Sequence, residues 1–342
     1  MNIIKANIIV ILMLTTLNVV AFQDKKILKL ESKVMNETRD LMIRLPKGYS
    51  KNKLKSYPVL VTLNDKDNFD WASYIVDMQF SRYGVEDMIV VGLPHTGNYN
   101  DDNFPYKEES NSLDLSHQSQ KYSKFIREEA LLYIEKNYRT NGGRFIVGHS
   151  LSGLFVLQLF MQYPESFSSY VIISPSLHYA PQMSQALRIF LLKNKELTNQ
   201  IFLSIGELEH SLIQKGFKDF AEIFKKNNPN SLYLNVSYLN NTDHLLSAFK
   251  GTYDGLAWIY KDWHIKEKEM RKYSIDNYRT YYQLLSRKLG YKIKPRKKHL
   301  IGFSWFAEEK LDDLNAALTA IKTGVYFYPE SKELKDRLKE LQ

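Results

Sequence analysis

The segment Arg144–Leu154 (RFIVGHSLSGL) constrains the fold more than any other part of the chain. Its first half is apolar, its second half opens an amphipathic helical pattern, and only a short Gly- and Ser-containing stretch separates the two. A change this abrupt is typical of a buried strand that turns sharply at the edge of a sheet into a helix that packs back on it. The segment therefore predicts a strand, a tight turn at Ser150 and a helix.

Strand and helix patterns alternate along the chain as far as Trp263. This alternation predicts an α/β fold with a mostly parallel central sheet and helices on both faces. Asn36-Glu37-Thr38 is predicted as the turn between the first two strands. The predicted strands span residues 26–32, 39–45, 58–63, 88–93, 144–147, 171–174, 201–205 and 232–239. The predicted helices span residues 123–138, 154–163, 184–192, 213–226 and 245–260.

The last 76 or so residues have only helical patterns, so we predict an α/β domain over 26–263 and a helical extension over 267–342. Ala317, Ile321 and Pro329 match the second half of a tetratricopeptide repeat in type and spacing. A lone repeat cannot bury its own apolar face. The extension is therefore expected to pack on the α/β domain or to receive a protein partner.

Composition excludes several classes of protein. With 342 residues, of which 44% are hydrophobic, the chain can bury a large core. The absence of cysteine excludes a cysteine nucleophile, a thiolate metal site and a lipid-modified cysteine. The net charge of +9 is concentrated near residues 287–298, but no nucleic-acid-binding signature accompanies it. We therefore expect a solvated basic face and no nucleic-acid partner.

The first 21 residues have the layout of a secretory signal peptide. Met1–Lys5 carries one cation, Ile8–Leu17 is almost wholly apolar, and Val19–Ala21 ends the run before polar residues. This run is short for a membrane span, although an uncleaved anchor is the alternative. The protein is expected to be exported to the periplasm or the extracellular space, with no integral span once residues 1–21 are removed.

The turn at Ser150 has the features of a nucleophile elbow. A serine hydroxyl must be exposed where a base can reach it, and a tight strand-to-helix turn does this only between small residues. Gly148 precedes Ser150 by two positions, while Ser152 replaces the usual second glycine and Gly153 follows it. The start of the following helix favours a developing negative charge, which makes the Leu151 N–H a predicted oxyanion donor. A plain glycine-rich turn is the alternative interpretation.

The acid that would orient the base is predicted after the strand 201–205. A carboxylate just past the carboxyl end of a strand is well placed to hold a histidine. Glu207 and Glu209 both follow Gly206 closely. Glu209 is preferred for its distance of three residues from the glycine, and Glu207 stays open as the alternative.

His244 is the predicted base. It follows the strand 232–239 and precedes a helical pattern, in the chain order serine, acid, histidine. His210 is the nearest competitor but adjoins the predicted acid, and His149 is predicted to be a packing residue. The remaining histidines are assigned to the rim of the cleft or to the helical extension: His95, His117, His178, His264 and His299.

A second oxyanion donor is expected in the turn after the strand 58–63. That turn is predicted to span residues 64–69, and the backbone N–H of Asp65 is its candidate donor.

Several motifs, in order, resemble the esterase D-like family of α/β-hydrolases. That family includes enterochelin esterases, S-formylglutathione hydrolases, feruloyl and acetylxylan esterases, and mycolyltransferases. The matching stretches are RLPKGY at 44–49, YPVLVTLND at 57–65, VVGLPHT at 90–96 and SFSSYVIISPSL at 166–177, besides the elbow. Asn64-Asp65 replaces the family's Asp-Gly, and no arginine stands at 97–99, where the family often has one that contacts substrate. The helical extension resembles one attached to some exported bacterial members.

The resemblance implies a serine hydrolase that cleaves a small carboxylic ester through an acyl-enzyme, without a metal or an organic cofactor. Exported, iron-linked members hydrolyse the lactones of catecholate siderophores, which makes such a lactone a candidate substrate. A carbohydrate acetyl or feruloyl esterase and an acyltransferase are the enzymatic alternatives. An inactive hydrolase that binds a partner through its helical extension is the non-enzymatic alternative.

Overall fold

The computed structural model describes residues 25–64, 66–82, 84–95 and 116–342. Its strands form one eight-stranded sheet in the order β1-β2-β4-β3-β5-β6-β7-β8. Pairings of β1 with β2 and of β2 with β4 are antiparallel, and those from β4 through β8 are parallel. The strands are β1 Lys25–Ser32, β2 Glu37–Arg44, β3 Tyr57–Asn64, β4 Ile89–Pro94, β5 Thr140–His149, β6 Ser169–Ile173, β7 Gln200–Gly206 and β8 Tyr233–Leu239.

Helices cover both faces of this sheet, so the predicted α/β architecture is confirmed. The helices before the C-terminal extension are α1 Lys66–Arg82, α2 His117–Lys124, α3 Leu131–Asn137, α4 Leu151–Gln162, α5 Met183–Lys193, α6 Ser211–Asn227 and α7 His244–Ile259. A π-helical turn, Phe125–Ala130, joins α2 to α3. The extension contains α8 Glu267–Met270, α9 Ile275–Leu289, α10 Lys297–Leu311, α11 Leu314–Phe327 and α12 Lys332–Glu340.

Two local predictions are wrong. The first turn spans residues 33–36, because Glu37 and Thr38 already pair with β1. Residues 66–69, predicted as part of a turn, form the start of α1. The first residues of α1 are polar, so the sequence shows no helical apolar pattern there. The buried side chains that pack this helix on the sheet come later, at Phe69, Ala72, Ile75 and Val76.

The sheet separates two hydrophobic cores, and consecutive residues of the central strands contribute to opposite cores. In β5, Phe145 and Val147 belong to the core that includes α1, α7 and the extension. Ile146 belongs to the other core, which includes α4 and α6. The central strands are therefore buried on both faces, as their near-continuous apolar runs predict.

The extension packs on the α/β region within this chain. Tyr291, which follows α9, lies edge-on to Phe145 of β5 with ring centroids 6.3 Å apart. The Tyr291 hydroxyl lies 2.9 Å from that of Tyr260 and donates to Oε2 of Glu86 at 2.7 Å. The extension was expected either to pack on the α/β domain or to bind a protein partner, and the structure shows the packing. Its resemblance to a tetratricopeptide repeat and the division of the chain into two domains stay predictions.

The predicted signal peptide, residues 1–21, lies outside the described residues. Within the part of the chain that the structure describes, none of the helices combines the length and the apolar character needed to cross a bilayer.

Candidate active site

Ser150 lies at the sharp turn between β5 and α4. Its backbone has φ 60° and ψ −121°, a conformation that a residue with a Cβ adopts only under strain. The turn is held against the neighbouring strand, because the Ser150 N–H donates to the Ile173 carbonyl at 3.0 Å. The strain costs about 1–3 kcal/mol, which the contacts around the turn offset. The strained conformation exposes the Ser150 hydroxyl at the carboxyl edge of the sheet.

Two glycines make this turn possible. A Cβ on Gly148 would come within 2.3 Å of the Ser152 carbonyl oxygen, and one on Gly153 would come within 2.9 Å of the Ile173 carbonyl oxygen. Ser152 itself is fully buried without such a clash. The glycine that this turn requires on its helical side is therefore Gly153, which explains why a serine can stand at 152.

His244 places its imidazole against the Ser150 hydroxyl. Nε2 of His244 lies 3.0 Å from Oγ of Ser150, and Nδ1 lies 2.8 Å and 3.0 Å from the two carboxylate oxygens of Glu209. A carboxylate only accepts hydrogen bonds, so Nδ1 carries the proton. Nε2 of the neutral ring then has a lone pair to accept the Ser150 proton.

The structure distinguishes the two carboxylates near His244. Glu209 is buried, and its side chain contacts the imidazole directly. Oε2 of Glu207 instead accepts a hydrogen bond from the backbone N–H of Asn241 at 2.9 Å. Glu209 is therefore the carboxylate that can orient the imidazole, while Glu207 fixes the loop that leads to it.

Gly206 allows the loops that carry Glu209 and His244 to approach each other. A Cβ at this position would lie 2.4 Å from the Thr242 carbonyl oxygen. The same carbonyl accepts a hydrogen bond from the Leu208 N–H at 2.9 Å, which ties the two loops together. His244 follows directly as the first residue of α7, whose N-cap Asp243 accepts from the Leu246 N–H at 2.8 Å.

The two predicted oxyanion donors differ in what the structure says of them. Leu151 is the first residue of α4, and a helix leaves its first N–H groups without an intrahelical acceptor. Asp65 lies outside the described residues. The neighbouring start of α1 does reach the site, since Asp67 and Asn68 line the same cleft as Ser150.

The other histidines have different surroundings. Nδ1 of His210 accepts from the Leu212 N–H at 3.3 Å and so caps α6. The pKa of His178 is lowered, mainly because the side chain is partly buried and to a smaller extent because His210 and His244 lie nearby. His264, which lies just before the extension, stacks on His299 within it, with ring centroids 5.0 Å apart. Among the described residues, no group of three or more histidines and carboxylates is arranged to hold a metal ion.

The cleft beside Ser150 has a volume of about 760 Å³. Its apolar wall includes Trp71 and Phe249, whose rings meet edge-to-face at 6.4 Å, and the exposed side chain of Leu245. Its described lining residues include the carboxylates of Asp67 and Asp243 but no lysine or arginine. The described residues that line this part of the cleft therefore do not share the net positive charge of the chain.

Sequence reasoning missed polar residues behind the site. Oγ of Ser176, which follows β6, lies 3.2 Å from Oγ of Ser150. His149, predicted only to pack, places Nε2 2.8 Å from the His244 carbonyl oxygen. The position of Ser176 just past a strand adjacent to β5 was an available signal, because ends of neighbouring parallel strands meet at one edge of the sheet.

Comparison with known proteins relates this chain to ester hydrolases. Residues 32–248, more than half of the chain, match the model of the family described as "Putative esterase". The ferri-bacillibactin esterase BesA of Bacillus subtilis is 28% identical over 195 residues, which cover 51% of this chain and 68% of BesA.

Solved structures show the same fold. An IroE-like serine hydrolase from Shewanella oneidensis superposes with a TM-score of 0.75 and 23% identity, covering 89% of this chain and all of that one. The siderophore hydrolase EstA from Aspergillus nidulans superposes with a TM-score of 0.58 and 14% identity, covering 70% of this chain and 95% of EstA.

Proposed function

The chain belongs to this family of ester hydrolases, and from that premise we propose that it is an exported serine esterase with Ser150 as its nucleophile. The observation that carries the proposal is the hydrogen-bonded chain from Oγ of Ser150 through the His244 imidazole to Glu209, with contacts of 3.0 Å and 2.8 Å. Nucleophile, base and orienting acid are the three parts that acyl transfer by a serine requires.

Acylation begins when Oγ of Ser150 attacks the ester carbonyl and passes its proton to Nε2 of His244. The carbonyl oxygen gains negative charge, which the Leu151 N–H stabilises together with a second donor, predicted at Asp65. Glu209 stabilises the imidazolium that forms. Collapse of the tetrahedral intermediate breaks the ester C–O bond, and the leaving alkoxide takes the proton from Nε2 of His244.

Deacylation repeats these steps with water. His244 takes a proton from water as the water oxygen attacks the acyl carbonyl, and the proton then returns to Oγ of Ser150 as the acid product leaves. No metal or organic cofactor takes part in the proposed steps.

The substrate we propose is a lactone of a catecholate siderophore. The name of the Bacillus relative, a ferri-bacillibactin esterase, supports an iron-linked substrate. The aromatic wall of the cleft, at Trp71 and Phe249, suits the stacking of aromatic acyl groups. The carboxylates of Asp67 and Asp243 repel anions, so this part of the cleft favours the uncharged, iron-free lactone over a strongly anionic complex.

The nucleophile is tested by Ser150→Ala, with Ser123→Ala as the matched control. Ser123 is a buried serine of α2 whose hydroxyl donates to the Ser119 carbonyl. We expect Ser150→Ala to lower kcat for p-nitrophenyl acetate by roughly 10⁴-fold or more, and the control to stay within about twofold. A fluorophosphonate probe should label the native protein and the control but not Ser150→Ala. Undiminished hydrolysis by Ser150→Ala refutes the assignment, and an unreactive native protein favours a binding role for the extension.

The substrate is tested with a panel on the purified protein. It comprises a catecholate trilactone with and without bound iron, a feruloyl sugar and an acetylated sugar, each with and without an added acceptor alcohol. We expect the largest kcat/KM on the iron-free trilactone. A preference for an acylated sugar identifies a carbohydrate esterase, and transfer to the alcohol in preference to water identifies an acyltransferase.

Export is the remaining part of the proposal, and the signal-peptide layout of residues 1–21 supports it. Intact-mass measurement of the protein from the extracytoplasmic fraction of its cells should show a chain that begins after Ala21. A chain that keeps these residues and sediments with the membranes indicates an anchor instead.

A further inference from the structure

His149 connects the nucleophile to the base. It is the last residue of β5, covalently next to Ser150, and only 9% of it is exposed. Its ring packs against the His244 ring, with centroids 4.6 Å apart and planes inclined by 44°. A residue bonded to one member of the proposed catalytic pair therefore contacts the other member directly.

The contact includes a defined hydrogen bond. Nε2 of His149 lies 2.8 Å from the backbone carbonyl oxygen of His244. A carbonyl oxygen can only accept, so Nε2 of His149 carries the proton and the ring is held in that tautomer. The bond acts on the backbone of His244 and leaves both nitrogens of its imidazole to Glu209 and Ser150.

A second side chain holds the same carbonyl. Oγ of Ser247 donates to the His244 carbonyl oxygen at 2.6 Å, and Oγ of Ser174 donates to Oγ of Ser247 at 2.9 Å. Ser174 follows β6, and Ser247 lies in the first turn of α7. The peptide group that carries the base is thus fixed by donors from both β5 and α7.

We propose, on the basis of the function proposed above, that His149 is a positioning residue that sets the distance between Ser150 and His244 by donating Nε2–H to the His244 carbonyl. The base lies at the start of a helix, where the backbone has fewer intrahelical constraints than in the interior. A displacement of about 1 Å between reacting groups can cost about 10²-fold in rate. A hydrogen bond between the two chain segments reduces such displacement.

The test compares three variants at this position. His149→Gln keeps an N–H donor at about the same reach, His149→Asn keeps an amide that is too short, and His149→Phe fills the space without a donor. We expect kcat for p-nitrophenyl acetate to fall about tenfold in the Phe and Asn variants and less than about threefold in the Gln variant, with KM within about twofold of the native value.

His264→Phe is the matched control, because it makes the same change at a partly buried histidine beside the extension; we expect it to leave kcat unchanged. The Asn variant keeps the comparison decisive if the Phe variant does not fold.

Native kcat in His149→Phe and His149→Asn, equal losses in His149→Gln and His149→Phe, or a rise in KM alone would each overturn the proposal. If Ser150→Ala stays active, the proposed function itself is wrong; if Ser150→Ala is inactive and the His149 variants are native, only the positioning role is wrong.

Discussion

Imidazoles occupy two contrasting regions of this molecule. In the cleft, His244 has a carboxylate on one ring nitrogen and a hydroxyl on the other, and a third of its side chain is exposed. Where the extension begins, His264 and His299 stack on each other, and Nε2 of His299 faces the Met270 sulfur at 3.1 Å. Burial, with the charges of His299 and Arg296, lowers the pKa of His264 to about 4.

The difference shows that burial alone does not make a histidine useful for catalysis. Burial without an opposing charge favours the neutral ring and weakens it as a proton acceptor. A carboxylate on the far nitrogen supports the charged ring at the moment when it takes a proton. We therefore propose a catalytic role for the cleft histidine and a packing role for His264 and His299, and three measurements test this division.

The largest expected effect separates the two carboxylates of the cleft. Glu209→Gln should lower kcat by about 10³-fold, because a neutral amide neither stabilises the imidazolium nor enforces the required tautomer. Glu207→Gln is the matched control and should stay within about threefold, because Glu207 bonds a loop N–H and not the imidazole. The measurement is kcat on p-nitrophenyl acetate at neutral pH. A severe loss in Glu207→Gln with an active Glu209→Gln would reverse the assignment of the acid.

The second effect is on stability and belongs to the extension. Tyr291→Phe removes the hydroxyl that donates to the partly buried Glu86 and contacts Tyr260. Leaving this partly buried carboxylate without its donor should lower the free energy of unfolding by about 1–3 kcal/mol, with kcat unchanged. Chemical denaturation and initial rates measure the two quantities. A loss of kcat without a loss of stability would show that this region takes part in catalysis.

The smallest effect is a pH dependence of stability. Since the His264 pKa falls from 6.5 in the unfolded chain to about 4 in the folded protein, only the unfolded chain binds this proton between those pH values. The free energy of unfolding should therefore decrease as pH falls through this window. His264→Phe should reduce the decrease between pH 7 and pH 5 by about 1 kcal/mol, an amount discounted for the partial exposure of the ring.

Chemical denaturation of the native protein and of His264→Phe at pH 7 and pH 5 measures this change. The contribution of the other titrating groups is common to the two proteins and drops out of the difference. An equal pH dependence in the two proteins would mean that His264 titrates normally in the folded state.

The sequence predicted best those features that depend on short stretches of chain. The turn at Ser150 follows from an apolar strand, small residues and a helix within 11 residues of one another. Glu209 and His244 could be chosen from their distances past strand ends, because the fold brings those ends to one edge. The elements and their order were predicted to within a few residues, apart from the first turn, α1, α8 and the start of α2, which precedes the predicted helix start at residue 123.

Long-range contacts could not be predicted in this way. The bond from His149 to the His244 carbonyl joins residues 95 positions apart and leaves no pattern in either segment. The start of α1 is polar, so periodicity did not separate it from the turn that precedes it. The packing of the extension on Phe145 depends on aromatic side chains whose burial is set by the whole fold.

The packing of the extension on the α/β region has a consequence for protein engineering. Arg296 of the extension donates to the Phe80 carbonyl in α1 at 3.2 Å, and Gln79 of α1 donates to the Tyr253 carbonyl in α7 at 2.7 Å. The opposite ends of these two helices bring Asp67 and His244 to the cleft. Truncation at residue 264 would remove the aromatic side chains of the extension that belong to the same core as α1 and α7. We expect both helices to become less stable as a result. Shortened forms made for crystallisation or immobilisation are therefore poor starting points, whereas forms that keep the extension retain these contacts.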